Sequence, residues 1–330
     1  MPRPHPTPGS HAEAQRPSSR PLSARAQKLS AQFRVRRFAG PSAHVGALSH
    51  LRIAHLTDLH VGRVTSEAVQ ETAVELTNRE HPDVVVITGD FVCHSQLYLD
   101  QLSWLISSFD APVVCVLGNH DYWAGAAEVR HALSRGGAEV LSNQHTTLTF
   151  RGQRLQIVGL DDAYTGHASY DDAVRGLSPG LPTIGLSHIA EEADALWAHG
   201  VPLVLSGHTH AGQVTLARLH ELAIGRLAGH RYVHGLYGAR NGAGSFPGAV
   251  YVGAGVGASV MPLRIGERGR RELTIFELGH EPGSFEEPLD EQAPGPGRAP
   301  SPKKRYQRAA AVVHKEHQRQ KRARAQVAKP

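Results

Sequence analysis

The chain has 330 residues, of which 40% are hydrophobic, so it can bury a substantial core. Its formal charge of +5 is unevenly spread. Residues 1–40 hold eight Lys/Arg and one acidic residue, and residues 301–330 hold ten Lys/Arg and one acidic residue. The body between them holds 17 Lys/Arg and 28 acidic residues, so it is acidic while both ends are basic. The acidic body argues against nucleic acid as the substrate of the central domain. The basic ends suit an anionic membrane surface, nucleic acid or a partner protein, although solvated disordered tails share this composition.

The cysteine and hydrophobicity patterns indicate an intracellular protein. Only Cys93 and Cys115 are present, in or near apolar segments, so we expect no disulfide framework. No apolar run reaches the length of a membrane span, and no hydrophobic region follows Arg36-Arg37 as a secretion signal requires. We therefore predict a cytoplasmic protein that could lie at the periphery of a membrane.

Both ends of the chain differ in composition from the body. Residues 1–30 are rich in Pro, Ser, Arg and His without a period, which predicts a disordered basic tail. We favour a strand over residues 32–36, against the alternative of a basic amphipathic helix. Residues 31–280 are predicted to form one domain. Residues 281–330 are predicted to be a Pro/Gly linker and a basic tail whose final part is helix-like but lacks a wide apolar face.

Within the body, short apolar runs alternate with segments of helical period, which predicts a layered α/β architecture. Three helices are predicted, over residues 66–80, 124–135 and 189–199. Eight strands are predicted, over residues 51–56, 84–88, 113–117, 155–160, 183–187, 203–206, 249–252 and 273–278.

Five of these strands are followed by residues that commonly bind metals. Ligands of open α/β sheets lie beyond the carboxyl ends of the strands, so we expect these side chains to converge. Any one of these groups could be a polar turn or a polar residue in the core without a function, but five of them at strand ends indicate a site. The residues are Asp58 and His60, Asp90, Asn119 with His120 and Asp121, His188, and His208 with His210.

The mixture of carboxylate, amide and imidazole groups suits Mn, Fe, Zn or Co better than calcium. So many ligands predict two divalent metal ions about 3.5–4 Å apart, which share one carboxylate and activate a hydroxide for attack on phosphorus. His120 is the side chain best able to pass a proton near neutral pH, and Asp121 could fix the tautomer of its imidazole.

The ordered motifs D-x-H, G-D, G-N-H-D, H and G-H-T-H resemble those of the calcineurin-like metallophosphoesterases over residues 32–278. This resemblance implies an α/β fold, a four-layer αββα sandwich with a single catalytic domain. It implies that Asp90 bridges two ions and that His120, backed by Asp121, is the proton donor or a stabiliser of the transition state. It also implies two ligand sets: Asp58, His60, Asp90 and His210 for one ion, and Asp90, Asn119, His188 and His208 for the other.

Further motifs resemble one bacterial branch of the family, which includes membrane-associated phosphodiesterases and UDP-2,3-diacylglucosamine pyrophosphatase-like enzymes. They are Gly235-Leu-Tyr, Gly255-Val-Gly and Pro262-Leu-Arg264. We interpret the Gly253–Gly257 segment as a turn near the site rather than a dinucleotide loop. Weaker candidates for contacts with substrate are His230, Arg231, His234, Arg264 and Trp123.

The sequence therefore predicts a metal-dependent phosphoester hydrolase, either a phosphodiesterase or a pyrophosphatase, acting on a small or lipid-linked substrate. The alternative is a catalytically silent scaffold of the same fold that recruits partners. Such scaffolds lose metal ligands or the proton-donating histidine, whereas all eight of these positions are present here.

Overall fold

Two six-stranded sheets pack face to face at the centre of the chain, as seen in a computed structural model. The structure describes residues 21–212, 229–241, 247–258, 264, 270–285, 292, 294, 295, 297 and 299–327, with side chains as far as residue 321. Residues 1–20 of the predicted tail, part of the predicted linker and Pro262 of the branch motif lie outside the described residues.

The first sheet has the order β1-β12-β2-β3-β4-β5. Strands β2 to β5 are parallel to one another, and β12 runs antiparallel to β2. The strands are β1 Phe33–Ala39, β2 Leu51–Leu56, β3 Val84–Thr88, β4 Val113–Val116, β5 Glu139–Val140 and β12 Arg271–Leu278.

The second sheet has the order β10-β11-β9-β8-β7-β6. Strands β7, β8, β9 and β11 are parallel, and the hairpin partner β6 and the edge strand β10 are antiparallel to their neighbours. The strands are β6 Gln144–Phe150, β7 Gln153–Gly159, β8 Thr183–Leu186, β9 Leu203–Ser206, β10 Gly235–Gly238 and β11 Ala249–Val252.

Helices cover the outer face of each sheet. In α2, Val69, Ala73 and Leu76 face the core at helical spacing, while Glu67 and Arg79 complement the helix dipole at its two ends. The helices are α1 Ala24–Ser30, α2 Glu67–Arg79, α3 Leu99–Ser107, α4 Asn119–Arg135, α5 Tyr170–Val174, α6 Ala193–Ala198 and α7 Pro302–Val327.

Alternate residues of the central strands enter different cores, which explains their continuous apolar sequences. Val84 and Val86 of β3 face the second sheet, whereas Val85 and Ile87 face the helices on the first. A third cluster lies between the second sheet and α5 and α6. The layers are thus helix, sheet, sheet and helix, which confirms the predicted αββα sandwich.

The predicted strands agree with the structure to within a few residues, and the strand predicted at 32–36 extends to Ala39. The prediction missed the helices α3 and α5 and the strands β5, β6 and β10. Residues 24–30, assigned to the disordered tail, instead form α1, which packs on α2 and is capped by the Ser23 hydroxyl. Residues 302–327 of the predicted basic tail form one helix. No helix of the described chain is long and apolar enough to cross a membrane.

Candidate metal centre

The candidate metal centre lies where five parallel strands end at one edge of the sandwich. Strands β2, β3 and β4 of the first sheet lead into Asp58, Asp90 and Asn119, and β8 and β9 of the second lead into His188 and His208. The backbone N–H of Asp58 donates to the carbonyl of Gly89 at 3.0 Å, and the N–H of His208 donates to Oδ2 of Asp58 at 3.1 Å. Loops from both sheets are therefore fixed to one another.

One group of ligand atoms consists of two carboxylate oxygens and two imidazole nitrogens. Candidate ligand atoms of Asp58, His60, Asp90 and His210 all lie within 4.8 Å of one another, and all four residues are buried. Nε2 of His210 lies 3.2 Å from Oδ1 of Asp58, and Nε2 of His60 lies 3.7 Å from Oδ2 of Asp90. This spacing is that of groups facing one common point.

A second group lies on the other side of Asp90. Nε2 of His188 lies 3.4 Å from Oδ1 of Asp90 and 3.3 Å from Nδ1 of His208. The other nitrogen of His188, Nδ1, donates to the carbonyl of Thr88 at 2.7 Å, which turns Nε2 toward this group. The two oxygens of Asp90 thus face two different sets of candidate ligands.

Several atoms of the centre have the character of metal ligands. Oδ1 of Asp58 and Oδ1 of Asn119 are buried and accept no hydrogen bond from the described residues. Buried oxygens without donors are costly unless a cation or water satisfies them. A set of carboxylate, amide and imidazole donors fits a hard or intermediate divalent cation.

The electrostatics of the cluster also favour a cation. Burial opposes the charge on His188, yet the carboxylate of Asp90 beside it raises the pKa of His188 to about 10. Burial lowers the pKa of His60 and of His210 to about 3 in each case, so both rings are neutral and have lone pairs to donate. Asp90 needs positive charge beside it, and a metal ion would supply that charge in place of the His188 proton.

The backbone at the site is held in an uncommon conformation. Ten described non-glycine residues have positive φ, and five of them are predicted ligands: Asp58 (53°), His60 (45°), Asp90 (55°), His208 (75°) and His210 (53°). A left-handed conformation costs about 1–2 kcal/mol per residue and persists where the surrounding structure enforces it. This concentration of strain marks the strand ends as a functional site.

Two glycines allow the close approach of these loops. A side chain at Gly118 would overlap the Asp90 carboxylate, and one at Gly207 would overlap Thr57 and lie 2.5 Å from Oδ2 of Asp58. Thr57 itself donates from its hydroxyl to that oxygen at 2.8 Å. The glycines that precede Asn119 and His208 are therefore required by packing.

The predicted pairing of Asp121 with His120 is wrong. The Asp121 carboxylate accepts the backbone N–H groups of Phe91, Val92 and Gly118 at 2.9–3.1 Å. Nδ1 of His120 instead donates to the carbonyl of Cys93 at 2.6 Å. Both residues belong to the first turn of α4, where successive side chains point about 100° apart. Asp121 thus holds the β3 and β4 loops together, and burial raises its pKa to about 8.

Aromatic residues surround the centre, and of these His120 and Trp123, but not His94 or Tyr164, are predicted from the sequence. The ring of His94 stacks on that of His120 with centroids 4.4 Å apart, and Trp123 lies 4.8 Å from His120 on another side. Tyr164, from the loop after β7, lies 5.3 Å from His208. Trp123 lines the site as suggested, but no sequence signal distinguished Tyr164 or His94 from loop residues.

Arg264 and His234, two of the weaker candidates, form hydrogen bonds within the body. Arg264 donates to the carbonyl of Ala254 at 2.9 Å and thereby supports the glycine turn, whose Gly257 N–H bonds to the Asp58 carbonyl at 2.7 Å. The interpretation of that segment as a turn near the site is confirmed. His234 pairs with buried Glu272 at 3.0 Å.

Of the two remaining weaker candidates, His230 and Arg231, one lies close to a predicted ligand. The ring of His230 lies 5.4 Å from that of His208, although its Nδ1 also contacts Glu191 at 3.1 Å. Arg231 forms an ion pair with Asp194. Only His230 of this pair therefore borders a predicted ligand.

Comparisons with known proteins agree with the fold and the site. Residues 51–212 match the family described as calcineurin-like phosphoesterase. An uncharacterized metallophosphoesterase of Bacillus subtilis, YkuE, is similar at 30% identity over 69% of this chain and 78% of that protein. Phosphodiesterase YaeI of Escherichia coli is similar at 29% identity over 69% of this chain and 82% of that protein. A transmembrane protein with a metallophosphoesterase domain from Danio rerio is similar at 33% identity over 70% of this chain and 54% of that protein.

The chain belongs to the calcineurin-like phosphoesterase family, as its motifs predicted. Membership implies a hydrolase of phosphoester bonds, and the cluster of aspartates and histidines is a site that could hold divalent metals. The individual metal ligands and the proton donor stay predictions.

Proposed function

We propose that the protein is a phosphodiesterase or pyrophosphatase that uses two divalent metal ions, one of Mn, Fe, Zn or Co in each position. The observation that supports this most is the position of Asp90 between two ligand groups, with Oδ2 toward His60 and Oδ1 toward His188. In this assignment Asp58, His60, Asp90 and His210 hold one ion, and Asp90, Asn119, His188 and His208 hold the other.

Two ions bound there would activate a water molecule and neutralise the oxygens of the phosphoryl group. The residues of the chain would hold that arrangement rigid. Thr57 and the backbone of His208 orient Asp58, and the Thr88 carbonyl orients His188. Because the ligand loops are buried and cross-linked, little reorganisation is needed when the phosphoryl group binds.

His120 is proposed to deliver a proton to the leaving oxygen. Since its Nδ1–H donates to the Cys93 carbonyl, the proton that it delivers has to be on Nε2. Nε2 lies 3.9 Å from Oδ2 of Asp90, and the side chain is 13% exposed, so it faces both the cluster and the substrate. Histidine is the side chain that most often serves as a general acid in enzymes.

The direct test combines metal analysis with turnover. Purified protein desalted after expression should carry close to two metal ions per chain by elemental analysis. It should hydrolyse bis-p-nitrophenyl phosphate, and a chelator should abolish that activity until Mn²⁺ or another divalent ion is restored. Protein that binds two ions without hydrolysing phosphodiesters or pyrophosphates would instead support the scaffold function.

Association with an anionic membrane is a second proposed function, and the outer face of α7 supports it. Tyr306 and Val313 are 76% and 69% exposed on one stripe of a helix that carries nine Lys/Arg and one acidic residue. Basic helices with an exposed apolar stripe bind anionic lipid surfaces, with about 1 kcal/mol per nearby cation.

Vesicle sedimentation tests this second function on the full-length protein. The Tyr306→Ser/Val313→Ser double variant should sediment several-fold less with vesicles of phosphatidylglycerol and phosphatidylcholine than the unaltered protein. Leu97→Ser is the control, because Leu97 is 88% exposed but lies elsewhere. Equal sedimentation of all three proteins would contradict a role for α7 at the membrane.

A further inference from the structure

Helix α7 places a basic face against the body beside the candidate metal centre. Its half-buried residues recur at helical spacing: Arg308, Ala311, Val312, Lys315 and Arg319. Val312 packs against the core under α4, and Arg319 donates to the carbonyl of Trp123 at 2.5 Å. The docked face thus combines a small apolar contact with three cationic side chains.

Two of these cations lie on the aromatic residues that surround the centre. The guanidinium of Arg308 lies 3.6 Å from the ring centroid of Tyr164, whose ring is 5.3 Å from that of His208. The ammonium of Lys315 lies 4.3 Å from the ring centroid of Trp123, whose ring is 4.8 Å from that of His120. A single aromatic ring therefore separates each cation from a residue predicted to bind metal or donate a proton.

A cavity of about 440 Å³ lies between the start of α7 and the body. The helix contributes Lys304, Arg305 and Arg308 to its wall, and the body contributes Tyr164 and His230 among others. Since the His230 ring is 5.4 Å from that of His208, this cavity is next to the metal centre. Its size suits a sugar phosphate or a comparable group.

The charges in the cavity wall are unbalanced. The carboxylates of the wall are partnered within the body: Glu191 with His230 and the backbone of Arg231, Glu192 with the Tyr170 hydroxyl, and Asp194 with Arg231. In contrast, Lys304, Arg305 and Arg308 of the wall form no ion pair with any residue that the structure describes. Arg308 is half-buried, whereas Lys304 and Arg305 are exposed. A half-buried cation without a counter-charge is costly, and an anionic ligand would remove that cost.

We propose that this cavity is a subsite for a second phosphate group of the substrate, bound by Arg308 with help from Lys304 and Arg305. The planar guanidinium on Tyr164 keeps its N–H groups free at its edge, where they match two phosphate oxygens. The inference rests on the proposed hydrolase function and names its substrate class: phosphodiesters that carry a further phosphate, including pyrophosphate diesters.

Matched substrates test this subsite on the metal-loaded full-length protein. Thymidine 5′-(p-nitrophenyl phosphate) and the same compound with an added 3′-phosphate share a leaving group and differ by one phosphate. The unaltered protein should prefer the 3′-phosphorylated compound in kcat/KM. Arg308→Gln and Arg305→Gln should each reduce that preference about tenfold, as expected for the loss of a charge-assisted contact. Lys303→Gln removes the same charge from an exposed position and should retain the preference.

A binding measurement separates this inference from the proposed function. Titration calorimetry with thymidine 3′,5′-bisphosphate and thymidine 5′-monophosphate should show tighter binding of the bisphosphate, with the difference lost in Arg308→Gln. If the protein turns over neither substrate but still shows this difference, the hydrolase function fails and the subsite stands.

Three results would overturn the subsite. One is equal loss for both substrates in Arg308→Gln, which would indicate a structural role for the α7 contact. Another is increased activity toward both, which would indicate that α7 blocks the site. The third is an unchanged preference in Arg308→Gln and Arg305→Gln alike.

Discussion

The floor and the rim of the site are built in different ways. We call the seven predicted ligands the floor: Asp58, His60, Asp90, Asn119, His188, His208 and His210. The rim consists of His120, Trp123, Tyr164, Arg308 and Lys315. The floor residues lie on loops that follow strands of both sheets, and five of the seven have a left-handed backbone conformation. The rim residues come from α4, from the loop after β7 and from α7, which is distant in sequence. This difference suggests that the floor determines the chemistry and the rim selects the substrate.

The largest expected effect tests the floor at Asp90. Asp90→Asn should lose more bound metal than Asn119→Ala, because Asp90 faces both ligand groups and Asn119 is a neutral ligand of one. Turnover should fall by more than about a thousandfold, since bound ions supply several kcal/mol of transition-state stabilisation. Elemental analysis after desalting and the bis-p-nitrophenyl phosphate assay measure the two quantities. If Asp90→Asn retains two ions and full turnover, Asp90 does not bridge.

The next effect tests the rim at His120. His120→Gln should retain both metals while turnover falls by about a hundredfold, within the range of general acid–base contributions. The loss should be smaller for diesters with a more acidic leaving group, because such a group needs less protonation. A series of substituted phenyl diesters measures this dependence. An equal loss across the series would assign His120 to positioning and not to proton transfer.

The sequence could predict that the floor residues converge but not which residues form the rim, for a physical reason. The floor follows parallel strands whose ends must meet at one edge, so Asp58 and His208 could be brought together across 150 residues from strand order alone. No such rule predicts the contact between Tyr164 and Arg308, because it depends on where α7 packs against the body. Asp121 was misassigned because adjacent residues in sequence are not adjacent on a helix surface.

A third prediction concerns the support beneath the floor, at Glu272. This buried carboxylate accepts hydrogen bonds from the Ala254 N–H at 3.2 Å and the Tyr251 hydroxyl at 2.6 Å, and it pairs with His234. Burial opposes its ionisation, but His234 and these donors lower its pKa from 4.5 to about 2. The stabilisation is therefore complete above about pH 4.5 and is lost as the pH falls toward 2.

Urea unfolding at two pH values measures this contribution. Glu272→Gln should cost on the order of 3 kcal/mol at pH 7 and less than half of that near pH 3. Glu281→Gln, at an exposed position, serves as the control and should change little at either pH. An equal cost of Glu272→Gln at both pH values would show that its charge contributes nothing to stability.

The smallest expected effect is at Ala211, where the floor continues past His210. Ala211 is fully buried with φ of 49°, so glycine would relieve left-handed strain but lose a buried methyl group and gain chain entropy when unfolded. These terms nearly cancel, and Ala211→Gly should keep its unfolding free energy within about 0.5 kcal/mol of the unaltered protein. Ala132→Gly, inside α4 and equally buried, relieves no strain and should cost at least about 1 kcal/mol. If urea unfolding gives the two variants the same cost, the left-handed backbone at the floor stores no strain that glycine can release.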